Sequence, residues 1–381
     1  MSIYAKKNIK FNQKWYLSSI HMNKQITKGN TMNNFKKVGL SALAGSLAMF
    51  SVNAVEYAVT GDAQVVYSTQ DNGSNDGTAS SGKGFGVDTD LYFNASGELD
   101  NGWTVSVFTA LDLEQANTAT SGGINSSAQL TIGMGSLGTV QFNDVFGSAA
   151  TSIDDVMPKA YEEPWDGTSH AASTHSFGVS TQSGSVDYRT PALSLGMGTT
   201  VSAAVTYDPN SGVGPAAAGG VGSNSRGGVA YVAKVAHESG LTLGAGVEEV
   251  EDDGTDDFGV NRATGYALLN VGPLSVGYQE TYVDSAHQDS VAASVGADIE
   301  ADMMGIAITQ GDFSVSYAQQ NETTQAVSDT AALLEVEMTA IQASYSMGAM
   351  TLAASMYETD NVGGVTAMKY EETELSVSFA F

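Results

Sequence analysis

From Glu56 onward, apolar and polar residues alternate with a period of two, in stretches of roughly ten residues. In the first stretch Tyr57, Val59, Ala63, Val65 and Tyr67 fall on one side and Thr60, Asp62, Gln64 and Ser68 on the other. Val87, Leu91, Phe93 and Ala95 then alternate with Asp88, Asp90, Tyr92 and Asn94, and Trp103, Val105, Val107 and Leu111 with Thr104, Ser106 and Asp112. The pattern returns at Val201 to Tyr207, Leu241 to Val247 and Phe313 to Tyr317. It ends at Glu374 to Phe381, where Leu375, Val377, Phe379 and Phe381 oppose Glu374, Ser376, Ser378 and Ala380. Successive side chains of a strand point to opposite faces, so each stretch predicts a strand with one apolar and one polar face.

The connections are of two lengths. Tight turns such as Asp100-Asn101-Gly102, Gly135 to Gly138, Glu238 to Gly240, Gly311-Asp312 and Met347-Gly348 alternate with long acidic or glycine-rich segments, at 70–82, 208–225, 250–259, 284–297 and 321–332. Short turns on one side and long loops on the other mark a barrel that spans an outer membrane. In hydrocarbon every backbone N–H and C=O needs a partner within the protein, so the sheet must close on itself. The expected fold is therefore all-β, a closed transmembrane antiparallel β-barrel of about 16 strands with an inward-folded constriction loop. Pro158, Pro164, Pro191, Pro209, Pro215 and Pro273 all fall in connections or at strand ends, as a closed ladder requires. A soluble β-sandwich also alternates, but it has no need of aromatics at both ends of its strands, as Tyr57, Tyr67, Trp103, Tyr207, Tyr317 and Phe381 supply here. Phe381, the last residue, makes sense on a lipid-facing strand paired on both edges.

Composition narrows the choice. After the start, no stretch of about 18 or more apolar residues occurs, which excludes a helical membrane protein. The chain has no cysteine, so a disulfide framework, a thiolate nucleophile and Cys-ligated metal are excluded. Eight of the 15 basic residues precede residue 55, where no Asp or Glu occurs; the rest holds 7 basic and 42 acidic residues, a net charge of −35. That charge excludes nucleic acid as a partner and favours cations. The basic start is read as processing: 1–31 as a non-native upstream extension, 32–54 as a signal peptide with Lys36 and Lys37 before the apolar run Val38 to Val52, and 55–381 as the barrel.

Several segments together resemble a Gram-negative general porin of alphaproteobacterial type: the signal peptide, GDAQVVYST (Gly61 to Thr69), FGVDTDLYFNASGELDNGWTVSV (Phe85 to Val107), AQLTIGMGSLGTVQF (Ala128 to Phe142), SVDYRTPALSLGMGTTVSAAVTYD (Ser185 to Asp208) and the terminal SVSFAF. The resemblance covers the whole of the expected mature chain. It implies a sixteen-stranded homotrimeric barrel whose third loop folds into the lumen, and passive diffusion of small hydrophilic solutes and ions. It also implies that Phe379 and Phe381 form the signal read by the barrel-assembly machinery. Outer-membrane lipid and lipopolysaccharide are the remaining expected partners. The PEFGGD-type signature of many third loops is missing here.

By order in the chain the constriction loop is Asn143 to Ser173, which carries Asp154, Asp155, Glu162, Glu163 and Asp166 beside Tyr161 and Trp165. Carboxylates at the narrowest point of a low-dielectric channel attract cations, whereas in an ordinary external loop they would only be solvated. Arg189 alternates with Val186 and Tyr188 so as to point inward opposite them; with Lys83, Arg226, Arg262 and Lys369 it makes up nearly the whole supply of candidate wall cations. Glu248, Glu249, Glu251, Asp252, Asp253, Asp256 and Asp257 offer oxygens to a divalent cation such as calcium but lack EF-hand spacing, and a solvated hairpin tip is the favoured reading. No resident cofactor or metal is expected. His170, His175, His237 and His287 do not sit with a serine inside a strand, and no nucleophile elbow or phosphate loop accompanies them, which argues against an enzyme. A solute-specific channel and a structural or adhesive non-conducting barrel remain as alternatives to a general pore. N-terminal sequencing of the exported protein is expected to read from Val55; a mature chain retaining residues 1 to 31 would overturn the processing scheme.

Overall fold

The computed structural model describes residues 56–72, 82–112, 125–144, 147–163, 176–178, 181, 184–211, 226–250, 260–285, 298–325, 335–362, 366 and 368–381. The expected leader at 32–54 and the segment before it lie outside the described residues. Alternating sequence becomes strand throughout: β1 (Glu56–Asn72), β2 (Gly82–Glu98), β3 (Thr104–Asp112), β4 (Asn125–Gly133), β5 (Thr139–Asp144), β6 (Ser185–Arg189), β7 (Leu193–Gly196), β8 (Thr199–Ser211), β9 (Arg226–His237), β10 (Leu241–Val250), β11 (Val260–Val271), β12 (Leu274–Ser285), β13 (Asp298–Gln310), β14 (Phe313–Gln325), β15 (Glu335–Met347), β16 (Met350–Asp360) and β17 (Lys369–Ala380).

Every neighbouring pair is antiparallel, and β17 returns to pair with β1. β6 and β7 both pair with β8 and are two halves of one stave, interrupted at Thr190-Pro191-Ala192 where proline cannot donate a ladder bond. The seventeen strands therefore make sixteen staves, an even number, which is what lets an antiparallel sheet meet itself. The strands reach further than the turn chemistry indicates: β1 continues to Asn72 and β14 to Gln325, into segments read above as loop. Ladder bonds to β17 and to β13 and β15 hold those polar residues extended.

The faces follow the alternation. Outward positions such as Val65, Phe93, Tyr207, Ile341, Leu375 and Phe379 are exposed, although all are apolar or aromatic. Hydrocarbon takes the place that a core would have in a soluble protein. Tight turns at Gly102, Gly240, Gly272, Gly311 and Gly348 use positive φ, which glycine adopts without steric cost.

The seam is closed by Phe381 and Gly61, which exchange backbone bonds of 2.9 Å (Phe381 N–H to Gly61 O) and 2.7 Å (Gly61 N–H to Phe381 O). A Cβ at Gly61 would stand 2.7 Å from the backbone oxygen of Asp90 and 2.8 Å from the Phe381 ring, so the terminal aromatic lies over a position kept bare for it. Gly61→Val is expected to destabilise the folded barrel by about 1–3 kcal/mol, read as a lower unfolding temperature in heat-modifiability gels. Gly265→Val, at a position with nothing within 4 Å of its added Cβ, is the control; equal midpoints would mean that the seam tolerates the side chain.

Candidate functional site

The described residues between β5 and β6 run inside the barrel. Their start is pinned by Asp187, a fully buried residue on the luminal face of β6. The Asp187 carboxylate accepts from Ala149 N–H (2.8 Å), Thr206 Oγ1 (2.6 Å), Asn143 Nδ2 (3.2 Å) and Arg189 NH2 (2.7 Å). Arg189 also donates to the carbonyl of Gly147 at 2.8 Å. A single 3-10 turn, Thr151–Ile153, follows. Ala150, Ile153 and Phe177 then pack on Ala230 and Tyr266. Gly246 of β10 leaves room for them, since a Cβ there would stand 2.6 Å from the Phe177 ring and 2.7 Å from Ile153 Cδ1.

Further on the chain crosses β12 to β16 and reaches β1. Gln279 donates to the carbonyls of Ile153 (2.9 Å) and Asp154 (2.8 Å), and its oxygen accepts from Val156 N–H (3.1 Å). Met157 and Pro158 lie over Gly277 and Gly305, with Met157 packed among Met303 and Met338. Ala160 N–H donates to Ser316 Oγ (2.8 Å) and Tyr161 N–H to Gln342 Oε1 (2.9 Å), while Gln342 Nε2 donates to the Glu162 carbonyl (2.5 Å). Gln64 of β1 donates to Tyr161 Oη at 2.9 Å. Burial raises the pKa of the Tyr161 phenol, reinforced by negative charge at Glu162 and Glu374, so the ring stays protonated. Gln279 and Gln342 satisfy donors and acceptors of the loop backbone alike. A carboxylate could only accept.

Four of the expected constriction acids, Asp154, Asp155, Glu162 and Glu163, are brought together on this loop, and all are buried. Asp154 accepts from the Phe177 N–H, Lys159 bridges Asp155 and Glu163, and Tyr357 Oη donates to Glu162 at 3.4 Å. These carboxylates hold the loop's own shape, and with Lys159 they leave it three negative charges. Asp166 lies outside the described residues, as do His170, His175 and His287.

Arg189 is inward, at the root of the loop. Arg262 pairs with Glu248 at 3.3 Å. Lys83 and Lys369 instead lie on outward registers, with Phe85 and Val87 and with Glu371 and Thr373, and so do not face the lumen as wall cations. Arg226 opens β9. Phe379 and Phe381 are outward and exposed.

Glu248 and Glu249 belong to β10 and not to a hairpin tip. Glu248 is fully buried on the luminal side, because its carboxylate accepts from Gly178 N–H (3.1 Å) and Thr181 Oγ1 (3.0 Å) besides Arg262. Glu251, Asp252, Asp253, Asp256 and Asp257 lie outside the described residues. Among the described residues no group of acidic or histidine side chains is arranged to hold a metal ion. His237 closes β9 on the short-turn side, near Met197 O (3.0 Å) and Ser239 Oγ (2.8 Å).

Sequence reasoning missed Gln279, Gln342 and Asp187, whose only signal is a buried polar residue at an inward position. It also missed a second acidic surface: register sets Asp62 of β1 beside Asp90 of β2, and Asp90 beside Asp112 of β3, all on the luminal side. Tyr92 Oη lies 2.8 Å from Asp62 Oδ2 and 3.1 Å from Asp90 Oδ2, so one proton serves two carboxylates. Asp90 Oδ1 is buried with no hydrogen-bond partner among the described residues.

The sequence signature of one family, described as Gram-negative porin, matches residues 39–381. No curated protein sequence matches the chain. Among solved structures the chain is similar to a porin refined at 1.8 Å resolution, with TM-score 0.57 and 18% identity over 86% of this chain and 100% of that one. OmpT of Vibrio cholerae in its trimer form gives 0.59 and 10%, again over 86% and 100%. An anion-selective porin from Comamonas acidovorans gives 0.56 and 11% over the same shares.

The loop's tethers are directly testable. Gln279→Leu and Gln342→Leu each leave buried loop backbone groups unpaired, at a cost of about 1–3 kcal/mol per orphaned group. Both variants are expected to fold, and to show altered, noisier single-channel conductance in planar bilayers. Current traces indistinguishable from wild type for both would show that the glutamines do not position the loop.

Proposed function

The chain belongs to the Gram-negative porin family, and from that premise we propose that its pore is weakly cation-selective, with negative charge on both the constriction loop and the luminal wall. The family and fold make the protein an outer-membrane channel for passive diffusion of small hydrophilic solutes and ions, not an enzyme. The observation that carries the selectivity is the luminal charge balance. The described loop keeps three negative charges after Lys159 is counted, and Arg189 and Arg262 are each paired to an acid. The wall adds Asp62 and Asp112, on either side of Asp90. A low-dielectric wall focuses the field of such charges on the aqueous path even where the carboxylates themselves are covered.

The anion-selective porin from Comamonas acidovorans has a similar fold, so selectivity must come from side chains and not from the barrel itself. The trimer form of Vibrio cholerae OmpT supports a homotrimer here. The outward aromatic pair Phe379 and Phe381, on the strand that closes the seam, supports reading by the barrel-assembly machinery. The apolar outward faces support contact with outer-membrane lipid and with the acyl chains of lipopolysaccharide.

In a KCl gradient the wild-type reversal potential is expected to have the cation-selective sign. Neutralising Asp154, Asp155, Glu162, Glu163 and Asp166 to Asn or Gln should lower cation preference more than neutralising Glu251, Asp252, Asp253, Asp256 and Asp257. A larger shift from the second set would place the selective loop elsewhere; an anion-selective wild type would refute the charge argument.

A further inference from the structure

Register brings three aspartates into one row across the luminal wall. β2 is flanked by β1 and β3, and pairing sets Asp62, Asp90 and Asp112 side by side, with Asp90 in the middle. Directly opposed side chains of an antiparallel pair have Cβ atoms about 4.5–5.5 Å apart, and like charges at that spacing repel. Asp88 faces the same way two residues along β2, about 7 Å from Asp90 at the rise of a strand. No cation offsets them from the neighbouring strands: β1, β3 and β4 contain no lysine or arginine, and Lys83, the only one on β2, is outward.

Asp90 is the member of this row least suited to a full charge. It is buried, whereas Asp62 is half-buried, and it alone has an aspartate in register on each side. Burial and neighbouring negative charge both disfavour an ionised carboxyl group. The hydrogen bonds agree. Tyr92, stacked on Phe108 of β3 with ring centroids 6.1 Å apart, places its Oη 2.8 Å from Asp62 Oδ2 and 3.1 Å from Asp90 Oδ2. A phenol hydroxyl donates one proton and can accept another, while an ionised carboxylate only accepts. With both aspartates ionised, one of the two contacts would set oxygen against oxygen with no hydrogen between them. With a proton on Asp90 both bonds are made, since Asp90 donates to Tyr92 and Tyr92 donates to the Asp62 carboxylate. The other oxygen, Asp90 Oδ1, is buried with no hydrogen-bond partner among the described residues, which is costly for an ionised group.

We propose that Asp90 carries a proton at neutral pH as the first donor of an Asp90–Tyr92–Asp62 chain, and that its ionisation in alkaline solution adds a negative charge to the wall and strengthens the pore's cation preference. The proton passes to water, and Tyr92 is left with one hydrogen for two carboxylates. The proposal rests on the cation-selective reading of the channel and makes that selectivity follow pH through one residue of the wall.

The test uses the folded full-length barrel and two independent readouts. Infrared difference spectra of wild type against Asp90→Asn at neutral pH should show the carbonyl stretch of a protonated carboxyl group in the wild type alone. Reversal potentials in a KCl gradient, taken between about pH 6 and about pH 10, where tyrosines begin to ionise, should move toward greater cation selectivity as pH rises. Histidines lose positive charge in the same range, so the step assigned to the wall is the part that Asp90→Asn removes. Asp112→Asn takes away a neighbouring charge and should shift that step to lower pH. At neutral pH, Asp62→Asn should lower cation preference more than Asp90→Asn does. Absence of the carboxyl band in wild type, a step retained in Asp90→Asn, or a step unmoved in Asp112→Asn would each overturn the proposal. An anion-selective wild type that shows both band and step would uphold the proton on Asp90 and refute the selectivity reading beneath it.

Discussion

Backbone hydrogen bonding in hydrocarbon is the constraint on which the rest of the structure depends. A strand inside a bilayer cannot leave an edge, because no water is there to pair with its N–H and C=O groups. Everything else in the barrel is arranged around that closure. The stave count is even, the described prolines sit outside the ladder or interrupt it as Pro191 does, and β17 is followed by Phe381, whose N–H and C=O both pair with Gly61. The apolar outward residues then need no core, since lipid buries them.

Closure leaves a wide polar interior, and the interior loop meets the same constraint in a second form. Its backbone crosses the wall without making a strand ladder, so its N–H and C=O groups need side-chain partners. Gln279 and Gln342 supply both donors and an acceptor, while Asp187 and Glu248 supply acceptors at its two ends. The loop's own acids are consumed in the same work: Asp154 on Phe177, Asp155 and Glu163 on Lys159. Negative charge on this interior loop is thus partly a by-product of anchoring.

The outer wall shows the complementary economy. Apolar side chains continue only to the height of the hydrocarbon, and above it β12 to β17 carry carboxylates in register, held partly by Lys369 and by Tyr278 donating to Asp302 at 3.0 Å. The two sides of one strand therefore answer to different solvents, and β15 shows both, with Gln342 inward against the loop and Ile341 outward and exposed.

The strands, their faces, the closed barrel and the overall negative charge were all legible in the sequence. Period-two alternation reports which side of each residue meets apolar surroundings, and an edge-free sheet follows from the solvent alone. That the segment after β5 folds inward, as its described residues do, followed from its order in the chain. The partners of its side chains did not. Whether Asp154 faces ions or caps Phe177, and whether Glu248 belongs to a hairpin tip or holds the loop through Gly178 and Thr181, depends on residues dozens of positions away, brought close only when the staves are in register. The same is true of Asp62 and Asp90, and of Glu358 and Glu371, each an ordinary strand acid until pairing places it beside another. Alternation encodes a direction, in or out; adjacency between strands is a property of register and closure, and only the tertiary structure decides it.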